Sequence, residues 1–306
     1  MKRLVAIIGP TGVGKSRLAL HLASVFDGEI VSADSRQVYR YLDIGTAKPT
    51  PQELSMIPHH LINIINPDED FSLAQYLELA NKAIEGIFKR GRLPFLVGGT
   101  GLYVKALLEG WQVPGVSPDR EFRYNREKKV SEGSIDELYH ELIIADPDAA
   151  AKIDRRNVRR VIRALEVRAR TGKDFSQVGR KKTPAFIPFI IGLTTDRAEL
   201  YRITDRRVDE MIERGLVWEV ENLQKMGVSL DLPSMSGIGY RQIGQFLKGE
   251  LTLEEAKNKI KTETHRFIRH QYAWFRRDDP KIHWFDVRNQ PEGEIEIMLS
   301  EFLGNE

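Results

Sequence analysis

Eight residues near the amino terminus, Gly9-Pro10-Thr11-Gly12-Val13-Gly14-Lys15-Ser16, form a complete G-x-x-x-x-G-K-[ST] pattern, which limits the fold more than any other feature of the chain. Such a pattern functions between a strand and a helix. Residues 4–8 (LVAII) are a short apolar run with a β-branched bias, and residues 16–26 carry helical periodicity through Leu18, Leu22 and Val25. Glycines let the backbone curl so that successive N–H groups converge, and the helix start adds a favourable dipole. Lys15 is placed to meet terminal phosphate oxygens and Ser16 offers a hydroxyl to Mg²⁺. A di- or triphosphate is the expected ligand.

The alternation of strand and helix continues. Residues 29–32 and 61–65 read as further strands, 73–88 as a helix, and 94–97 as a buried strand ending at Gly98-Gly99. Repeated βαβ units imply a parallel sheet. After Gly110 the character changes: residues 117–182 are charged and helical, with Pro114, Pro118 and Pro147 as punctuation and no convincing strand. A strand-like run returns at 186–193 (FIPFIIGL), and 282–285 is a weaker final strand. The expected organisation is an α/β core begun by residues 1–116, interrupted by a helical basic insertion at 117–183, and completed with carboxyl-terminal helices by 184–306.

Composition narrows the setting. With 306 residues, 41% of them hydrophobic, a core of ordinary size is affordable, and no stretch approaches the roughly 18 consecutive apolar residues a membrane span needs. The absence of cysteine excludes disulfides, thiolate nucleophiles and cysteine-ligated metal sites. No secretory leader is recognisable, so a soluble protein of the reducing cytoplasm is expected.

Net charge is only +2, yet residues 151–182 hold 12 Lys or Arg against 3 Asp or Glu. On a helix, Val158, Ile162, Leu165 and Ala169 would line one face, with Arg155, Arg156, Arg159, Arg160 and Arg163 on a neighbouring arc. A charge run usually marks a solvated face. Here only Asp154, Glu166 and Asp174 are near enough in sequence to act as counter-charges, so contact with a nucleic-acid backbone is the stronger reading. The tract Gly179-Arg180-Lys181-Lys182 extends the basic window.

Two strand ends carry further candidates. Asp34, in Asp34-Ser35-Arg36-Gln37, is expected at the carboxyl end of a core strand beside the one bearing the phosphate loop, over the crevice where open α/β sheets bind ligands. It fits a general base, a metal-associated acid or a helix N-cap equally well. Thr100, among three glycines at 98, 99 and 101, offers either a hydroxyl to a ligand or a cap to the following helix. Arg207 and Arg241 are candidates for meeting an anionic leaving group, against the usual pairing with surface acids. Residues 264–277 (THRFIRHQYAWFRR) interleave aromatics with bases, and packing of Phe267, Trp274 and Phe275 against the core accounts for most of that pattern. The adjacent His59 and His60 point in different directions and read as structural.

Taken in order, GPTGVGKS, DSRQVYRYLDIGTAKP (34–49), PHHLIN (58–63), GGTGLYVKALLEG (98–110), NVRRVIRALEV (157–167), RRVDEMIERGLVWEV (206–220) and GIGYRQ (237–242) closely resemble the bacterial tRNA dimethylallyltransferases over nearly the whole chain. The resemblance implies a P-loop NTPase-like α/β core and transfer of a dimethylallyl group from dimethylallyl diphosphate to N6 of the adenosine 3′ of a tRNA anticodon, with Mg²⁺ as cofactor. Such chains are customarily described as ATP-binding, whereas this reading makes the loop a holder of prenyl diphosphate. By the same resemblance Asp34 is the general base, Thr100 assists at the leaving oxygen, and Lys15, Ser16 and Arg207 neutralise the diphosphate, Ser16 as the Mg²⁺ ligand. Residues Asp34, Ser35, Arg36, Gln37, Thr100, Arg123, Asn157, Arg159, Arg160 and Arg163 would contact the tRNA anticodon loop. The protein is expected to act as a monomer without a membrane partner.

Two positions depart from the family pattern: Asn63 stands where aspartate is frequent, and His270 where arginine is usual. Neither is expected to touch the catalytic set. The rival readings are a P-loop small-molecule kinase, an enzyme prenylating free adenine nucleotides, and an RNA-binding switch in which Asp34 merely caps a helix.

Overall fold

The computed structural model describes residues 2–116, 118–178 and 181–304. Ser117, and Gly179 and Arg180 of the basic tract, lie outside the described residues. Two compact units are present, one made of Met1–Phe71, Gln75–Leu108 and Pro184–Glu306, the other of Ser72–Ala74 and Glu109–Thr183. The second unit therefore begins eight residues before the expected position. Its two chain ends are tied together there: Trp111 and Lys181 form an antiparallel bridge, Lys182 N–H donates to Gly110 O at 2.8 Å, and Lys181 pairs with Glu109.

The first unit is built on six parallel strands, β1 (Arg3–Ile8), β2 (Gly28–Ser32), β3 (His59–His60), β4 (Leu93–Gly98), β5 (Ile187–Thr194) and β6 (Ile282–Asp286), in the order β3-β2-β4-β1-β5-β6. β1 and β4 are buried along nearly their whole length, as strands covered on both faces must be. The helix Lys15–Val25 lays Leu18, Ala19, Leu22 and Ala23 against this sheet, and Val5, Ile7, Phe95, Val97 and Ile191 pack with Ile268, Ile295 and Leu299 into one core. A second apolar cluster joins Val38, Tyr39 and Leu42 to Val208, Leu216, Val220 and Tyr240.

Two sequence expectations are corrected. β2 does not lie beside β1, because β4 intervenes, pairing Ile8 with Gly98 on one side and Ser32 with Val97 on the other. The third strand occupies His59–His60 rather than 61–65, where Leu61 (φ 64°) and Asn63 (φ 58°) take left-handed conformations that a continuous strand cannot contain. Ile65 keeps only an isolated parallel bridge to Tyr39.

The second unit is helical, with Arg120–Ser131, Ile135–Ala145, Pro147–Ala150, Val158–Thr171 and Phe175–Val178 packed around Leu138, Leu142, Ile153, Ile162 and Leu165. Among the described residues no helix is long and apolar enough to cross a membrane.

Candidate active site and arginine-rich helix

Because β4 separates β1 from β2, the loops leaving the carboxyl ends of all three strands lie side by side. They line a cleft of about 450 Å³ that also receives residues from the helices Arg197–Glu213 and Leu253–Trp274. Thr11, Gly12, Gly14, Lys15 and Ser16 face it from the first loop, Asp34 and Gln37 from the second, and Gly98 and Gly99 from the third. Gly9, Pro10 and Val13 shape the loop from behind. Gly9 has φ 144°, and a Cβ there would meet Leu193 O at 2.5 Å, so no other residue fits.

Lys15 Nζ donates to Pro10 O at 2.7 Å. Burial pulls its ammonium down to about 8, with Asp34 opposing that shift and Arg207 adding to it. The three charges are thus electrostatically linked. Arg207 is itself depressed by burial, Asp34 acting against that and Arg214 with it. Among the described residues no acceptor takes a hydrogen bond from the Arg207 guanidinium, whereas its neighbour Arg206 pairs with Glu210 at 3.4 Å. A desolvated cation with unused donors, beside a second one and a glycine loop, is a site for a multiply charged anion. Arg241 instead pairs with Glu263 at 3.7 Å and is not on the cleft.

Asp34 is half-buried. Its Oδ1 accepts from the backbone N–H groups of Arg36 (2.8 Å) and Gln37 (3.3 Å), an Asx-turn that opens no α-helix, while Oδ2 has no hydrogen bond among the described residues. One oxygen builds the loop and the other is available. Thr100 does not cap the following helix with its side chain: its Oγ1 accepts from Ser35 N–H at 3.0 Å and donates to Ser35 Oγ at 3.4 Å, so the hydroxyl clamps the third loop to the second. Its carbonyl, not its side chain, accepts from Val104 N–H at the start of the helix Gly101–Leu108.

Arg36 is occupied as well, donating to Pro233 O (2.7 Å), Ser234 O (3.2 Å) and Ser236 Oγ (3.1 Å). Gln37 Nε2 reaches Thr46 O and Ala47 O, both at 3.3 Å. That wall of the cleft is fixed from beneath by Glu219, which sequence reasoning missed. Its carboxylate accepts from the N–H groups of Asp43 (3.1 Å), Ile44 (2.7 Å) and Gly45 (3.2 Å), and from the Tyr240 hydroxyl (2.6 Å). Lys48, also on the cleft and also missed, donates to Asp43 Oδ1 at 2.7 Å and Asn63 Oδ1 at 2.5 Å, and burial lowers its pKa against the pull of Asp43. Asn63 therefore does reach the site, through Lys48. His59 lines the cleft with Nδ1 2.7 Å from Ile57 O, and burial keeps its imidazole below the usual value. Phe267 is 42% exposed and lines the cleft rather than the core.

The second unit gives its arginines more partners than the sequence indicated. Glu166 is fully buried, and accepts from Asp119 N–H (2.7 Å), from Arg123 Nε (2.9 Å) and Nη2 (2.7 Å), and from Arg163 Nη1 (2.6 Å). Burial alone would push this carboxyl up, yet the bonds from Arg123, the Asp119 amide and Arg163 together hold it at about 2. Arg123 and Arg163 are therefore built into the unit, Arg163 also donating to Val116 O at 2.9 Å. Arg155, Arg156, Arg168 and Arg170 pair with Asp136, Asp154, Asp174 and Asp119, two of which, Asp119 and Asp136, precede the basic window in sequence. Asn157 caps the helix by accepting from Arg160 N–H at 3.2 Å. Ala169 is exposed, the buried face being Val161, Ile162, Ala164, Leu165, Glu166 and Val167. Arg159 and Arg160 remain exposed on that helix without an ion-pair partner among the described residues.

The chain is similar to known proteins over nearly all of its length. Residues 37–278 match the family described as IPP transferase, and residues 2–63 match isopentenyl transferase. A tRNA dimethylallyltransferase of Dehalococcoides mccartyi is 48% identical over 302 residues, covering 99% of this chain and 93% of its own, and one from Roseiflexus castenholzii is 53% identical over 274 residues, 90% of each. Among solved structures, a full-length tRNA isopentenylpyrophosphate transferase from Bacillus halodurans superposes with a TM-score of 0.73 at 41% identity, covering 98% of this chain and 96% of its own. A eukaryotic dimethylallyltransferase described as acting on tRNA gives 0.74 at 28% identity, covering 94% and 74%. With a family match over most of its length and relatives near half identity from end to end, the chain belongs to the IPP transferase family.

Proposed function

We propose that the protein transfers a dimethylallyl group from dimethylallyl diphosphate to the exocyclic N6 of the adenosine 3′ of a tRNA anticodon. The observation that carries this reading is the presence, on one cleft, of an anion-binding set (the glycine loop, Lys15 and Arg207) and a carboxylate oxygen of Asp34 that accepts no hydrogen bond among the described residues. Relatives named tRNA dimethylallyltransferase support it.

The chemistry then follows from the parts. An exocyclic adenine amine is a weak nucleophile because its lone pair is delocalised into the ring. As its nitrogen bonds to C1 of the prenyl group, the C1–O bond to diphosphate breaks, and Asp34 Oδ2 takes the departing amine proton. Lys15, Arg207 and the loop N–H groups meet the charge that grows on the leaving oxygens from fixed positions. The clamp between Thr100 and Ser35 holds the base carrying this proton in place. The target adenosine must leave its stack to enter such a cleft, which costs less in an anticodon loop than in a duplex.

The donor set fits Mg²⁺. Ser16 presents an exposed hydroxyl without a hydrogen bond among the described residues, and no group of three or more His, Asp or Glu there could hold a metal by itself. A hard cation that draws most of its ligands from a diphosphate and water needs only such a hydroxyl, and when bound it supplies further neutralisation of the leaving group.

Labelled dimethylallyl diphosphate with Mg²⁺, offered unmodified tRNA and AMP in parallel, tests the reading, with labelled ATP and a panel of small alcohols as a kinase control. Label is expected in tRNA alone. Equal labelling of AMP, or ATP turnover without prenyl transfer, would replace this function with one of its rivals.

In the second unit the tRNA contact is assigned to Arg159 and Arg160, the two arginines of the helix that have no ion-pair partner among the described residues. The double substitution R159A/R160A is expected to weaken tRNA binding and to make the slope of log K against log salt shallower by about 0.7–0.9 per lost phosphate contact. An unchanged slope would return this helix face to ordinary solvation.

A further inference from the structure

Gln271 is a polar residue on the buried face of the helix Leu253–Trp274, alongside Ala256, Ile260 and Ile268, and is 3% exposed. Its amide has both halves committed. Oε1 accepts from Thr11 N–H of the phosphate loop at 2.9 Å, and Nε2 donates to Gly99 O of the third loop at 3.1 Å. These two loops leave neighbouring strands, β1 and β4, whose pairing ends at Ile8 and Gly98. Beyond that point a side-chain amide, which offers one acceptor and one donor as a peptide does, continues the cross-link that the ladder can no longer make.

The approach is close: a Cβ on residue 99 would fall 2.2 Å from Gln271 Nε2, so a side chain there would push the amide off its bond to Gly99 O. The connection also runs onward. Thr100 N–H donates to Ala33 O, and Thr100 Oγ1 takes the Ser35 N–H next to Asp34. From the phosphate loop to the carboxylate, the chain of contacts is therefore Thr11, Gln271, Gly99, Thr100, Ser35, Asp34.

We propose that Gln271 is a positioning residue that fixes the distance between the loop holding the diphosphate and the loop carrying the base, by bridging Thr11 and Gly99 with its amide. This rests on the transfer reaction proposed above. In-line displacement needs the leaving group and the proton acceptor at a set separation, and a shift of about 1 Å can cost about 100-fold in rate. Binding of either substrate alone makes no such demand, so the effect should fall on kcat.

Two variants test it. Q271M keeps length and volume but neither hydrogen bond. Its kcat for prenyl transfer to tRNA is expected to fall by about 10- to 100-fold, with the KM for dimethylallyl diphosphate and the Kd for tRNA each within about threefold of the parent. Q271E supplies a signature that loss of packing cannot mimic. As a carboxylate it faces Gly99 O with a second oxygen and breaks the bridge, whereas the protonated acid can donate to Gly99 O and still accept from Thr11 N–H. The ratio of Q271E to parent activity should therefore rise by about tenfold or more as pH falls from 8 to about 5.5. Parent enzyme in the same assay separates the two readings: if it fails to prenylate tRNA, the proposed function fails first. If the parent transfers and Q271M keeps its kcat, or the Q271E ratio is flat with pH, the positioning role is overturned. A Q271M preparation that loses activity only in proportion to its unfolded fraction would likewise reduce Gln271 to a stability element.

Discussion

Replacing Asp34 by asparagine is expected to lower kcat for prenyl transfer by about two to four orders of magnitude while leaving the Kd for tRNA nearly unchanged. Asparagine is the informative substitution because the structure gives the two carboxylate oxygens separate duties. Oδ1 closes the Asx-turn through Arg36 N–H and Gln37 N–H, and an asparagine Oδ1 can accept both bonds. The remaining position, which takes the proton, becomes an amide that cannot. Alanine would lose turn and base together and confuse the two. Because the Asp34 charge also supports the Lys15 ammonium, which burial holds at about 8, its removal lowers that value further, so the comparison is made across a pH series and the acid-side plateaus of the two proteins are set against each other. Single-turnover rates with saturating donor, beside filter binding of tRNA, decide the matter. A rate within a few fold of the parent would leave Asp34 as a loop former only.

The parts of the fold legible in the sequence are those whose cause is local. Strand β1, the helix Lys15–Val25 and the phosphate loop between them follow from a β-branched run, a 3.6-residue apolar period and three glycines with positive φ at 9, 12 and 14. The order of strands is not local. Nothing in residues 28–32 or 93–98 says that β4 slots between β1 and β2, yet that placement brings Gly99 and Thr100 between the phosphate loop and Asp34. Residues 61–65 (LINII) read as strand on their apolar content, and only the positive φ angles of Leu61 and Asn63, which pattern does not encode, keep them out of β3.

For the site, the same division holds. Lys15 and Ser16 stand out because the phosphate-loop motif has one obvious use, whereas local sequence leaves Asp34 and Arg207 with alternatives that only the family resemblance narrows; all four line the cleft. Gln271, Glu219 and Glu166 were opaque for a common reason. Each is a polar residue in an amphipathic or basic helix, where the default is a solvated surface, and each is buried with partners that include residues 40 or more positions away in sequence, which local pattern does not reveal. Glu166 was counted as a counter-charge, but for arginines that would stay exposed; its capture of Arg123 and Arg163 removes both from the freely available basic surface and leaves Arg159 and Arg160.

The cations opposite Asp34 make the second large prediction, and it follows from how their charges interact. Arg207→Met should lower kcat/KM for dimethylallyl diphosphate by about 10²- to 10³-fold, since a fixed donor aimed at developing charge in a site shielded from water is worth that much. Its effect on pH dependence is more discriminating. Lys15 is held at about 8 by burial, with Arg207 contributing to the depression. In the donor-free enzyme the ammonium is therefore complete below about pH 7 and lost above 8, so kcat/KM for the donor should fall about tenfold per pH unit on the alkaline side. Removing Arg207 takes away one repulsive charge, which raises the Lys15 value and moves that alkaline limb to higher pH even as the plateau drops. Lys15→Arg, which keeps its charge throughout the range, should abolish the limb. The expected pair of results is a lower, right-shifted profile for Arg207→Met and a flat one for Lys15→Arg. A limb that stays at the same pH in both variants would mean that another group titrates there and that Lys15 does not meet the diphosphate.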